Sequence, residues 1–318
     1  LKQKFSWNGE YKLYSENLDK VLKTGTGSNA DLNFIFIGML KSFGIKAYPV
    51  VMSRRSAGML PVSFPSLQKL NTFVVAIYDE VKGKYVYLDG SMDIPALNVL
   101  PVELSVTKAR ILSADIPENK KWVNLQEIPT NQIFMKISAN AQGSQITGRR
   151  TTILKGHDAL GYRKEYQTKD SLVNKQELVK EKLAISNLKR TEMEDDFATI
   201  REDFDFILEA EKSEDHIYIN PMLFPQLTKN PFIQSERILP VEFPYLYRLN
   251  LSCALTLPEG YEVEEIPHSQ VVKTEDGKLQ CKYMIQRNGN NVIVNYSFSL
   301  NSSVMPSEYY SQLQEIWN

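Results

Sequence analysis

Only two of the 318 residues are cysteine and only three are histidine, and no histidine precedes residue 157. So sparse a supply excludes the paired ligands of a zinc site, and it leaves residues 1–156 without an imidazole to act as a general base. Cys253 and Cys281 fall on the apolar sides of LSCALTL and LQCKYMI, where a thiol packs as a small hydrophobe. Buried free thiols are therefore expected ahead of a disulfide. No apolar run reaches the roughly 18 residues that cross a bilayer, and the first residues lack the basic and apolar regions of a signal peptide. The net charge is −1 with Lys and Arg scattered, so no basic surface for nucleic acid is present. No cofactor is expected. The chain opens on Leu1 shortly before WNGEY and closes in a helix-like YYSQLQEIWN, which predicts a piece of a longer protein whose targeting segment lies upstream.

What is present is an ordinary globular composition, 42% hydrophobic, 24% charged and 10% aromatic, long enough to bury two cores. Ser28 is a good N-cap, and Asp31 three residues later completes a capping-box pattern, so a helix is predicted from about Ala30 to Phe43. Leu32, Ile35, Phe36, Met39, Leu40 and Phe43 recur at helical spacing and predict a broad buried face. Gly44 follows as the helix stop. IKAYPVVMSR reads as a strand, SAGMLPVSFPSLQK as a loop able to cover a cleft, and LNTFVVAIY with KYVYLDG as a hairpin closed by DEVKG.

After the irregular stretch that ends near residue 125, the pattern becomes alternating and strand-like: IFMKISA, SQITGRRTTILKG, EDFDFILEAE, HIYINPML, YLYRLNLSCALTLP, KLQCKYMIQ and NVIVNYSFSL. HDALGYRKEY and DSLVNKQELVKEKLAI interrupt it as helical inserts, the second amphipathic with mixed charge. Short strands separated by Pro and Gly predict an antiparallel sandwich.

The first third resembles the transglutaminase-like core. In that family a nucleophilic Cys begins a helix in a G-x-C-x-D-x-A phrase, a His opens a later strand, and an Asp closes the hairpin. The helix N-terminus lowers the thiol's pKa, the His shuttles the proton, and the Asp orients the imidazole. Gly27-Ser28-Asn29-Ala30-Asp31 fits the helix start with Asn29 in the Cys position, Asn71-Thr72-Phe73-Val74-Val75 fits the strand with Thr72 in the His position, and Leu88-Asp89-Gly90-Ser91 fits the Asp phrase. Neither an amide nor a hydroxyl ionises near neutral pH, so the resemblance implies a catalytically degenerate site of Asn29, Thr72 and Asp89. HIYINPMLF, KNPF, RILPVEFPY and LPEGYEVEEIP resemble the β-rich second domain of Bacteroidetes proteins of unknown function.

The fold class expected is α+β: a papain-like transglutaminase-like domain over residues 1–125, then a β-sandwich-like domain with helical inserts over 126–318. The resemblance implies a non-enzymatic binding or scaffolding module, periplasmic or envelope-associated, taking a peptide, a glycan or an upstream domain of the same protein. The competing reading is an active hydrolase or acyltransferase whose nucleophile lies elsewhere, which requires a His within about 3 Å of a Ser, Thr or Cys. Ser28 reads as a helix cap rather than a replacement nucleophile, because its domain has no His to activate it. Arg54 and Arg55 either bind an anionic group beside the cleft or are simply solvated, and Asp89 either binds a ligand or caps a turn. The three histidines, His157, His216 and His268, read as surface or loop residues.

Overall fold

The computed structural model describes residues 1–61, 66–128, 130–166, 182–192, 198–227 and 229–317. The chain divides into two compact units, one of residues 1–129 with 196–198 and one of residues 130–195 with 199–318.

In the first unit five antiparallel strands form one sheet: β1 (Ala47–Met52), β2 (Thr72–Asp79), β3 (Lys84–Leu88), β4 (Ala109–Ile111) and β5 (Trp122–Val123), in the order β3-β2-β1-β4-β5. The β2–β3 hairpin pairs Val75 with Leu88 and Asp79 with Lys84, so the start of β2 and the end of β3 lie at the same end of the sheet. β-branched residues suit the pleat, and Val50, Met52, Val74 and Ala76 are fully buried with Leu104 and Leu125. Before the sheet come α1 (Leu18–Thr24) and α2 (Asn29–Ser42). Only the first five residues of α2, Asn29 to Asn33, are buried. Ile35 and Ile37 reach hydrophobic clusters, but Met39 and Phe43 stand 38% and 77% exposed, so the broad buried face predicted for this helix ends halfway along it.

In the second unit eight strands form a single sheet: β6 (Thr130–Gln142), β7 (Gln145–Lys155), β8 (Leu183–Glu192), β9 (Thr199–Glu209), β10 (Leu246–Thr256), β11 (Gln270–Lys273), β12 (Leu279–Asn288) and β13 (Asn291–Leu300). The order is β8-β9-β7-β6-β10-β13-β12-β11. Every pair is antiparallel except β6–β10, which runs parallel from Thr130↔Leu246 to Asn140↔Thr256. Alternation puts Leu249, Leu251, Cys253 and Leu255 on the same buried face as Ile133, Met135 and Ile137. That face is covered by irregular chain carrying Leu223, Phe224 and Phe232 and by α4 (Tyr310–Trp317), while α3 (His157–Glu165) packs Ala159 and Tyr162 against Ile200.

A charge is buried in this core. The Arg150 guanidinium lies 4.2 Å from the Phe204 ring centre and donates to Glu202 Oε1 at 2.5 Å, while Tyr162 donates to Glu202 Oε2 at 2.6 Å. Cys253 and Cys281 are free and buried, and burial pushes the Cys253 thiol up to about 12.

The expected fold class needs correction. Strand makes up 41% of the described residues against 18% helix, which is not a papain-like helix-plus-strand core, and the second unit builds one mixed eight-stranded sheet rather than an antiparallel sandwich. In the first unit the stretch expected to be irregular supplies 3-10 turns behind Pro101 and Pro117 and the two short strands β4 and β5. In the second unit, alternation of apolar and polar residues fits one half-buried sheet as well as two stacked ones. The parallel pair also needs a long return connection, which no local pattern announces. The HDALGYRKE helix forms as expected; the insert DSLVNKQELVKEKLAI lies mostly outside the described residues, and its last three residues, Leu183 to Ile185, begin strand β8 where helix was expected.

Candidate functional site

The start of α2 is fixed by a full capping box. The Ser28 backbone N–H donates to Asp31 Oδ2 at 2.8 Å, and Ser28 Oγ accepts from the Asp31 N–H at 3.3 Å. The Ser28 hydroxyl also donates to Asp31 Oδ2 at 2.7 Å, and the residue is 1% exposed, so this oxygen is committed to the cap. Gly27 leaves no room for a side chain: a Cβ there would lie 2.8 Å from Val21 Cγ1 and 2.9 Å from Asp31 Cβ.

Asn29, the first residue of the helix, is fully buried against the start of β2. Its amide donates to Thr72 Oγ1 at 2.6 Å and to the Phe73 carbonyl at 3.2 Å, and its Oδ1 accepts the Lys12 backbone N–H at 2.7 Å. The Asn29 N–H in turn donates to the Glu10 carbonyl at 3.0 Å. The segment Glu10–Lys12 therefore lies across the helix start, and Thr72, also fully buried, is sealed beneath it with Asn29.

Among the described hydrogen bonds none joins Asp89 to Thr72. Asn33, one turn along α2 from Asn29, stands between the two strands: its amide donates to the Phe73 carbonyl at 2.8 Å and to Asp89 Oδ1 at 3.1 Å, and its Oδ1 accepts the Gly90 N–H at 2.6 Å. The Ser91 N–H and hydroxyl donate to Asp89 at 3.0 and 2.6 Å. Burial raises the Asp89 pKa above its ordinary value, opposed by the Ser91 and Asn33 hydrogen bonds and by the Lys2 charge. Asn33 escaped the sequence analysis. Two Asn at i and i+4 in the otherwise apolar NADLNFIFIG carried the signal, because a polar residue on a buried helical face must find partners.

The two arginines stand just past the end of β1. Arg54 stacks over the Tyr11 ring at 5.2 Å and approaches Glu103 at 3.9 Å, and Arg55 donates to the Ser105 carbonyl at 3.4 Å. Neither makes a described contact with Asn29, Thr72 or Asp89. Burial first, then the Asp89 and Glu103 charges, pushes Tyr11 up to about 12.

The histidines all belong to the second unit. His157 is half-buried at the start of α3, stacked on Tyr245 at 4.6 Å, with its Nε2 unpartnered; neighbouring Asp158 Oδ2 also lacks a partner. Burial lowers His157 to about 4 and raises Asp158 to about 6. Exposed His216 lies 3.1 Å from Glu264. Among the described residues no imidazole nitrogen bonds to a Ser, Thr or Cys, and no group of three or more His, Cys, Asp or Glu is arranged to hold a metal. No helix of the described residues is long and apolar enough to cross a membrane.

Residues 215–318 match DUF3858, a domain of unknown function with a solved structure. No curated protein matches the chain. Among solved structures, the chain is similar to one described as a "putative protease" from Parabacteroides distasonis, with 15% identity and a TM-score of 0.48 over 99% of this chain and 46% of that one. The chain thus spans less than half the length of that protein.

Proposed function

We propose that this chain is a non-catalytic binding or scaffolding module of the bacterial cell envelope, whose first unit keeps the residue plan of a transglutaminase-like thiol enzyme without its chemistry. The observation that carries the reading is the 2.6 Å hydrogen bond from Asn29 to Thr72, at the positions where the family pattern has a thiol and an imidazole. Both side chains are fully buried, and the Lys12 N–H closes over Asn29. A carboxamide neither ionises nor attacks a carbonyl under neutral conditions, and the hydroxyl of Thr72 has no base beside it. Asp89, the one ionisable member, is committed to Asn33 and Ser91. The envelope placement is supported by the likeness of HIYINPMLF and RILPVEFPY to β-rich domains of Bacteroidetes proteins.

The test incubates the intact chain with unstructured peptides and with a primary-amine acceptor, and follows cleavage or transfer by mass spectrometry. No turnover is expected. Turnover that Ser28→Ala or Asp89→Asn removes from a folded protein would overturn the reading.

A further inference from the structure

A groove of about 990 Å³ opens in the second unit between the chain segments 209–223 and 257–267, on the apolar face of the eight-stranded sheet. Half-buried Ile217, Ile219, Leu257 and Ile266 give it an aliphatic floor laid over the buried core of the sheet. Its volume lies at the upper end of the range for ligand pockets. The walls have a single sign of charge. Glu209, Glu211, Asp215, Glu262, Glu264 and Glu265 line them, and His216, the sole basic side chain of the described lining, already faces Glu264 at 3.1 Å.

We infer that this groove binds an extended peptide carrying Lys or Arg beside aliphatic side chains. In the wall YEVEEIP, Val263 and Ile266 are half-buried while Glu262, Glu264 and Glu265 stand in solvent, so an apolar base and an anionic mouth run along one segment. Apolar side chains of the ligand fill the floor, and its cations meet the carboxylates at the rim. Tyr218 and Tyr261, 61% and 45% exposed in the same lining, offer ring faces to those cations. Six carboxylates repel phosphates, nucleotides and fatty-acid headgroups. An apolar floor beneath a rim of one charge sign is complementary to a basic amphipathic chain. Only residues of the second unit are used, so the inference stands or falls independently of the Asn29 site.

The test is an anisotropy titration of a fluorescent peptide alternating Leu and Lys with the full chain. Saturable binding that weakens as salt is added is expected, with affinity about tenfold lower for the Glu262→Gln/Glu264→Gln/Glu265→Gln variant. These three side chains are solvent-exposed, so the variant should fold, and a thermal melt checks that it does. Peptides with Glu for Lys, or Ser for Leu, should bind far more weakly. Unchanged affinity in the triple variant would overturn the proposal, as would equal binding of the Ser-Lys peptide. So would the absence of saturable binding, including the case in which sedimentation shows the groove already closed by a second copy of the chain.

Discussion

Asn29 and Asn33, one helical turn apart on α2, both donate to the carbonyl oxygen of Phe73, at 3.2 and 2.8 Å. This shared acceptor locks the helix start to the first residues of β2. It also makes this corner a structural joint: each amide reaches on from Phe73, Asn29 to Thr72 and Asn33 to Asp89.

A joint makes a ranking of stabilities. Asn29→Ala strands the buried Lys12 N–H and removes three hydrogen bonds, and should cost about 2–3 kcal/mol. Thr72→Val removes one acceptor while the Phe73 carbonyl still serves the amide, and should cost about 1 kcal/mol. Urea unfolding measures both, and equal costs would contradict the geometry.

Asp89 gives a pH signature. Its native pKa is raised by burial, so just above the ordinary Asp value the native state holds a proton that the unfolded chain has released, and stability falls as pH rises. Asp89→Asn should flatten that decline, its new amide donating to the Ser91 hydroxyl. Denaturation midpoints across acidic pH read the difference, and an unaltered slope would remove Asp89 as the cause.

His157 and Asp158 should oppose one another. With His157 at about 4, the unfolded chain binds the extra proton up to the ordinary value of 6.5 and stability rises with pH. With Asp158 at about 6 against an ordinary 3.8, the native state binds it and stability falls. The slopes largely cancel between pH 4 and 6. Asp158→Asn should therefore unmask a rise and His157→Gln a fall, both visible in the same series of unfolding curves.

The Arg150–Glu202 pair separates the breaking of a buried ion pair from its replacement. Glu202→Gln leaves the guanidinium uncompensated between aromatic rings and should cost about 3–5 kcal/mol. Arg150→Met, Glu202→Leu and Tyr162→Phe together remove every member, and thermal melts should show most of the loss recovered.

Local chemistry was legible in the sequence wherever it is decided by neighbours along the chain. The Ser28–Asp31 capping box, the β2–β3 hairpin and the His157–Glu165 helix are of this kind. What escaped depends on residues far apart. The alternation in LYRLNLSCALT fixes which side chains turn inward, yet it is silent on whether the cover is a second sheet or irregular chain bearing Phe224 and Phe232. Likewise the Asn29, Thr72 and Asp89 phrases were readable one by one. The closure of Asn29 by Glu10 and Lys12 was not, since backbone groups of any sequence can supply those bonds.

The parallel seam between β6 and β10 carries a warning for anyone who trims the molecule. A fragment cut to the DUF3858 boundaries, 215–318, keeps β10 but discards β6, stripping its eleven residues of their neighbour on one flank. The strand would then become a raw border of hydrogen-bonding groups with Leu251 and Cys253 beside it. Such a border invites self-association.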